Sequence, residues 1–180
     1  PTEIYTLSLH DALPISEALW DEFYPRLLVY LGAFRGLSRE DREEVASDSL
    51  LKAWQNRHAV RPESDCRAWL FTIARRSAID RLRAERGGNK DSGFEPDDHA
   101  DLRTPCPERE ILKREETVFV RNFLAGLPVT SRELAFLHYY ETMTVEEASK
   151  VLGMSPGTVK WKLHEIRKEL QKRWDDAYGE

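Results

Sequence analysis

The chain has 180 residues, 41% of them hydrophobic and 33% charged, with a formal net charge of −5, a size that suits one medium domain or two small ones. It contains no apolar stretch near the about 20 residues of a membrane-spanning helix and no recognisable signal peptide, so we expect a soluble, cytoplasmic protein. Its two cysteines lack a CxxC partner and none of its five histidines has an HExxH-like spacing, so we predict no metal site and no cofactor.

Residues 1–16 lack a starting Met and show neither helical nor strand periodicity. They are similar to translated sequencing-adapter read-through, and we interpret them as a leader that is not native. A short leader strand is the alternative. The functional interpretation therefore starts at residue 17.

Residues 17–86 show helical periodicity in three segments, which predicts a first all-α domain. The first helix starts at Glu17 and ends near Gly36. Ser38 has the residue type of an N-cap for a second helix over residues 39–56, which has an acidic first turn and an apolar seam. A third helix runs from about Cys66 to residue 83 and is apolar on one side.

The third helix belongs to a basic segment. Residues 57–86 hold eight arginines against four acidic residues. Trp69 and Phe71 lie among these arginines, and an aromatic ring beside cations suits an unstacked base or a phosphate backbone. The alternative is that both rings belong to the hydrophobic core.

Residues 84–107 lose the apolar periodicity and are rich in Gly, Pro, Asp and Glu. This composition cannot bury a core. We therefore predict a flexible acidic linker over residues 87–107, which joins the first domain to a second helical domain over residues 108–180.

Residues 144–170 have the pattern of a helix-turn-helix. Thr144 and Glu147 have the spacing of a capping box that starts the first helix. Gly153 suits a sharp exit with positive φ. Ser155 and Pro156 have the residue types of an N-cap and a first helical position for the second helix.

The second helix of this motif has an apolar stripe and a basic outer face. The stripe recurs every three or four residues and consists of Val159, Leu163, Ile166 and Leu170. Residues 150–173 hold seven basic residues against two acidic ones, although the whole chain is acidic. This reversal of charge favours DNA binding in a major groove over the alternative, an ordinary helical hairpin with a solvated face.

In order along the chain, these motifs resemble bacterial RNA polymerase sigma factors of the sigma-70 family, extracytoplasmic-function (ECF) type. Residues 41–54 resemble the helix that binds the polymerase clamp, and residues 67–83 resemble the helix that melts and recognises the −10 element. Together they form region 2. Residues 127–170 resemble region 4, which contacts the −35 element and the polymerase flap.

The resemblance implies specific contact residues. For polymerase binding they are Asp41, Glu44, Val45, Asp48, Leu51 and Lys52. For the −10 element they are Arg61, Trp69, Phe71, Thr72, Arg75, Arg76, Asp80 and Arg83. For the −35 element they are Ser155, Thr158, Lys160, Trp161, Lys162, His164 and Arg167.

The resemblance also implies partners: the clamp and flap of core RNA polymerase, promoter DNA that is duplex at −35 and single-stranded at −10, and an anti-sigma factor. The acidic linker would occupy a nucleic-acid channel of the polymerase, although a merely soluble linker explains its composition equally well. Three residues depart from the usual family pattern. Arg76 stands where many relatives have Asn, Trp161 stands where a small polar residue is usual, and Glu165 stands where a basic residue is common.

Two other classes of protein are alternatives. A free-standing helix-turn-helix regulator would use residues 127–174 on duplex operators, but it leaves the arginine-rich helix of the first domain unexplained. A DNA-processing enzyme needs clustered carboxylates or a nucleophile with a base partner, whereas the acidic residues here are scattered. We therefore expect no enzymatic activity.

Overall fold

The computed structural model describes residues 15–59, 66–85 and 111–179. Within these ranges the secondary structure is helical, with no strand, which confirms the all-α prediction. The chain divides into two compact units, the first containing α1 to α3 and the second α4 to α7. The predicted leader up to residue 14, Arg61 and the predicted linker lie outside the described residues.

The first unit contains α1 (Ile15–Leu31), α2 (Arg39–Gln55), a 3₁₀ turn (Arg57–Ala59) and α3 (Cys66–Glu85). α1 starts two residues before residue 17 and ends at Leu31 rather than near Gly36. Each of the three helices packs against the other two. Leu27, Tyr30, Leu50 and Phe71 are at most 2% exposed and contribute one core residue or more from each helix.

The second unit contains α4 (Ile111–Ala125), α5 (Val129–Ala135), a π-helical turn (Phe136–Tyr140), α6 (Val145–Leu152) and α7 (Pro156–Tyr178). α5 and α6 both pack on α7. Leu134, Leu137, Met143 and Leu163 are at most 1% exposed and form much of this core. The sequence pattern predicted α6 and α7, but it did not resolve α4, α5 or the π turn.

Candidate polymerase and nucleic-acid interfaces

The first helix of the helix-turn-helix starts with the predicted capping box. The backbone N–H of Glu147 donates to Thr144 Oγ1 at 3.2 Å, and the backbone N–H of Thr144 donates to Glu147 Oε2 at 2.7 Å. Two backbone donors at the start of α6 are thereby satisfied. Val145 is half-buried, whereas Ala148 and Leu152 are buried, as the apolar pattern predicts.

The turn into α7 also has the predicted backbone chemistry. Gly153 has φ of 67° and ends α6 in the left-handed region, where a side chain would be strained. The backbone N–H of Thr158 donates to Ser155 Oγ at 3.1 Å, so Ser155 is the N-cap of α7 and Pro156 is its first residue. These local bonds set the direction in which α7 leaves the turn.

The long helix α7 has a buried side and an exposed side. Val159, Leu163 and Ile166 are at most 5% exposed and pack into the second unit. Because α-helical neighbours recur at three and four residues, the residues between them point outward. Of the predicted −35 residues, Lys162 is half-buried, and the exposed ones are Ser155, Thr158, Lys160, Trp161, His164 and Arg167.

Trp161 is prominent on this outer side. Its side chain is 60% exposed, and Lys162 Nζ lies 5.9 Å from the centre of its ring. An exposed ring of this size next to a cation offers both an apolar surface and positive charge to a ligand.

An aromatic cluster connects the far end of α7 to α4. The Phe119 ring lies edge-on to Trp174 at 5.3 Å and to Tyr178 at 5.6 Å, and the Trp174 and Tyr178 ring centres are 4.6 Å apart. Arg173 adds a contact over the ring of Phe123 at 5.4 Å. This cluster supports α7 beyond its basic segment and was not anticipated from the sequence.

The helix α3 presents a stripe of predicted −10 residues on the side away from the core. The spacing of Trp69, Thr72, Arg76, Asp80 and Arg83 is three, four, four and three residues, which places them on one helix face. Trp69 and Thr72 are half-buried, whereas the other three are exposed. The Trp69 ring is therefore accessible at the edge of this face.

Arg75 is half-buried and lies beside this stripe rather than on it. Arg83 lies 3.8 Å from Asp80, and both side chains are at least 68% exposed. A pair this exposed is weak in water, so either partner can turn to an incoming ligand.

One predicted −10 residue must be removed from the set. Phe71 is 0% exposed, and its ring lies edge-on to Tyr30 with the ring centres 5.1 Å apart. Phe71 is on the core side of α3, two residues along from Trp69, and therefore belongs to the hydrophobic core. The core alternative was right for Phe71.

Two predicted polymerase-binding residues also face inward. Val45 is 5% exposed and packs in the core of the first unit. Asp41 is 8% exposed and accepts from Arg81 Nε on α3 at 2.8 Å. Both are corrected to structural roles, because neither offers its side chain to a partner.

Asp41 also forms a capping box with Ser38. Asp41 N–H donates to Ser38 Oγ at 3.1 Å, and Asp41 Oδ2 accepts from the backbone N–H of Ser38 at 3.0 Å and from its hydroxyl at 2.6 Å. The hydrogen bond from the Ser38 hydroxyl, followed by those from Arg81, lowers the pKa of the Asp41 carboxyl below its ordinary value. The contact between Arg81 and Asp41 could not be predicted from the sequence, because no local pattern connects residues that are 40 positions apart.

Four predicted polymerase-binding residues remain on the exposed face of α2: Glu44, Asp48, Leu51 and Lys52. Leu51 is 52% exposed. Glu44 also approaches Arg81, with a distance of 3.0 Å between carboxylate and guanidinium, and Lys52 Nζ donates to Ser77 Oγ at 3.0 Å. The face thus combines an exposed leucine with three charged residues, of which Glu44 and Lys52 contact side chains of α3.

Within the described ranges, no cluster of three or more His, Cys, Asp or Glu has a geometry that could hold a metal ion. None of the helices that the structure describes is long and apolar enough to span a membrane.

Comparison with known families and proteins gives a family match for each of the two units. Residues 19–87 match the family described as "Sigma-70 region 2", and residues 120–170 match "Sigma-70, region 4". The first match covers α2 and α3, and the second covers the helix-turn-helix. A free-standing helix-turn-helix regulator does not account for the region 2 match.

The chain is 30% identical over 151 residues to the ECF RNA polymerase sigma factor SigL of Mycobacterium tuberculosis, with 83% of each chain covered. The fold is similar to CnrH in its complex with the cytosolic domain of CnrY, with a TM-score of 0.61, 22% identity and coverage of 94% of this chain and 93% of that one. It is also similar to the sigma factor RpoE in complex with the anti-sigma factor NepR from Bartonella quintana, with a TM-score of 0.64, 23% identity and coverage of 86% and 93%. The chain therefore belongs to the ECF RNA polymerase sigma factors of the sigma-70 family, which bind core RNA polymerase and direct it to promoters.

Proposed function

We propose that this sigma factor binds core polymerase through the exposed face of α2, single-stranded −10 DNA through the stripe on α3, and duplex −35 DNA through the outer side of α7. The observation that carries the proposal is the separation of surfaces within each unit. Apolar side chains are buried on one side of α2, α3 and α7, whereas the residues assigned here to binding are exposed or half-buried on the other.

The exposed face of α2 is suited to a protein partner. Leu51 provides exposed apolar area, and Glu44, Asp48 and Lys52 provide charges on the same face. Interfaces commonly combine a dry apolar centre with a charged rim that selects and orients the partner. We assign this face to the polymerase clamp, and we assign the second unit to the flap.

The stripe on α3 is suited to an unpaired strand. Trp69 offers a half-buried aromatic ring, and Arg76 offers a planar guanidinium that is exposed to solvent. Unstacking a base costs a few kcal/mol, which stacking on a ring and contact with a cation offset. We assign Trp69 and Thr72 to the captured base and Arg75, Arg76 and Arg83 to the DNA backbone.

The outer side of α7 is suited to duplex DNA. Lys160, Lys162 and Arg167 supply positive charge around the exposed turns of a capped helix. In helix-turn-helix proteins the second helix enters the major groove, where phosphate contacts position the protein and base contacts specify the sequence.

We further propose that an anti-sigma factor regulates this protein in the cytoplasm, where bacterial RNA polymerase acts. The two structural neighbours were solved in complex with CnrY and with the anti-sigma factor NepR.

Co-purification with core polymerase and run-off transcription from a promoter library test the assignment of α2. We expect Leu51→Asp to reduce co-purification and transcription at least tenfold without unfolding the domain, because the side chain is 52% exposed. Val29→Asp is the matched control, since Val29 is 47% exposed on α1. Equal binding by both variants and the unchanged protein would remove α2 from the interface.

A further inference from the structure

We infer that Glu165 determines part of the −35 specificity by accepting a hydrogen bond from the N4 amino group of a cytosine, with Trp161 packing on the 5-methyl group of a nearby thymine. This inference rests on the proposed function of α7 and specifies the bases that the helix selects.

The first observation is the position of Glu165. Thr158, Trp161, Glu165 and Lys168 are separated by three, four and three residues, so they form one stripe along α7. All four are exposed, and the stripe is opposite the buried Val159–Leu163–Ile166 side. A helix that docks in a groove with its buried side toward the protein presents this stripe to the base edges.

The second observation is the charge of Glu165. DNA carries one negative charge about every 1.7 Å along the duplex axis, so a carboxylate on the groove-facing stripe is repelled unless a base donates to it. Lys162 and Lys168 are each three residues away, but Glu165 makes no ion pair or hydrogen bond with any of the residues that the structure describes. Its acceptors are therefore available to a ligand.

The chemistry of the major groove then selects the base. Cytosine presents an amino donor there, and Glu or Asp is its usual acceptor. Guanine and thymine present acceptors that repel a carboxylate, and adenine presents its amino donor beside the N7 acceptor, a pair that suits Asn or Gln rather than Glu. Lys160 and Arg167 are exposed on the side of α7 between this stripe and the buried residues. Their charges offset the repulsion from phosphates while Glu165 approaches the base.

Trp161 specifies a second base. The ring is 60% exposed and lies one turn before Glu165 on the same stripe. The thymine methyl is the apolar feature of the major groove. Four residues of helix span about 6 Å, so the thymine and the cytosine should be close neighbours in the −35 element.

The test uses the full chain reconstituted with core polymerase and a promoter library randomised at −35. We expect the unchanged protein to favour cytosine at one position by about five- to tenfold. Glu165→Gln should shift that position toward adenine, because Gln donates to and accepts from adenine. Asp176→Asn removes the same charge from an exposed site further along α7 and should leave every base preference unchanged.

Replacing the selected thymine by deoxyuridine tests Trp161. Loss of the methyl group should reduce transcription by the unchanged protein about threefold or more, whereas Trp161→Ala should respond equally to both bases. If the unchanged protein has a −35 base preference that Glu165→Gln and Trp161→Ala both retain, the inference is wrong and the sigma-factor assignment stands. If the unchanged protein supports no transcription from any library member, the proposed function itself fails.

Discussion

Arg81 on α3 donates through Nε to Asp41 at 2.8 Å, and its Nη2 lies 2.6 Å from the same carboxylate oxygen. Asp41 at the same time closes the capping box that starts α2. A single carboxylate therefore determines where α2 begins and how it lies against α3. This connection holds the exposed face of α2 in a defined position relative to the exposed stripe on α3 of the same unit.

Asp41→Asn should destabilise the first unit by about 1–2 kcal/mol. The substitution weakens the cap and removes one of two carboxylates near Arg81, and Glu44 limits the loss because it also approaches that guanidinium. Amide hydrogen exchange of α2 and α3, measured by mass spectrometry, reports the change. Asp48→Asn, at an exposed position of the same helix, should change stability by less than about 0.5 kcal/mol.

The stabilisation from Asp41 should depend on pH. Its pKa is lowered in the folded protein, so its contribution is fully present above the unfolded value of about 3.9 and is lost as the pH falls through the lower folded value. The stability difference between the unchanged protein and Asp41→Asn should therefore be constant from about pH 7 to pH 5 and shrink below about pH 4. A difference that persists unchanged at pH 3 would contradict the lowered pKa.

Two glycines of the helix-turn-helix should respond oppositely to alanine. Gly153 has φ of +67° with no atom within 4 Å of an added Cβ, so Gly153→Ala should cost about 1–2 kcal/mol from backbone strain alone. Gly157 lies inside α7 without a positive φ, and Gly157→Ala should stabilise the second unit by up to about 1 kcal/mol. Amide hydrogen exchange of α6 and α7 measures the stability of each variant. An equal loss of stability in both variants would rule out backbone conformation at Gly153 as the cause.

Trp174→Ala should release α4 from α7. The ring contacts Phe119 and Tyr178 and is half-buried, so we expect a loss of about 1–3 kcal/mol in the protection of α4 amides. Trp161→Ala is the matched control, because that ring is 60% exposed and should leave α4 protection unchanged. Faster exchange in the first unit as well would indicate general unfolding rather than loss of this cluster.

The helix-turn-helix was predictable from sequence because its determinants are local. Thr144, Gly153 and Ser155 each form a cap with backbone groups that lie within four residues. The spacing of residue types in the sequence is therefore enough to predict these contacts. The apolar stripe of α7 follows from helical periodicity for the same reason. The order of these motifs along the chain also indicated the family, which the region 2 and region 4 matches confirm.

Tertiary structure decided which side chains face outward where local patterns leave a choice. Trp69 and Phe71 are both aromatic residues among arginines, but only the packing of α3 against α1 buries Phe71 on Tyr30. From its charge and position in the sequence, Asp41 was expected to be a surface residue that contacts a partner. In the structure its carboxylate instead accepts a hydrogen bond from Arg81, 40 residues away. Phe119 and Trp174 meet because α4 folds back on α7. Periodicity reports which residues share a helix face, whereas only the packing of helices determines what that face contacts.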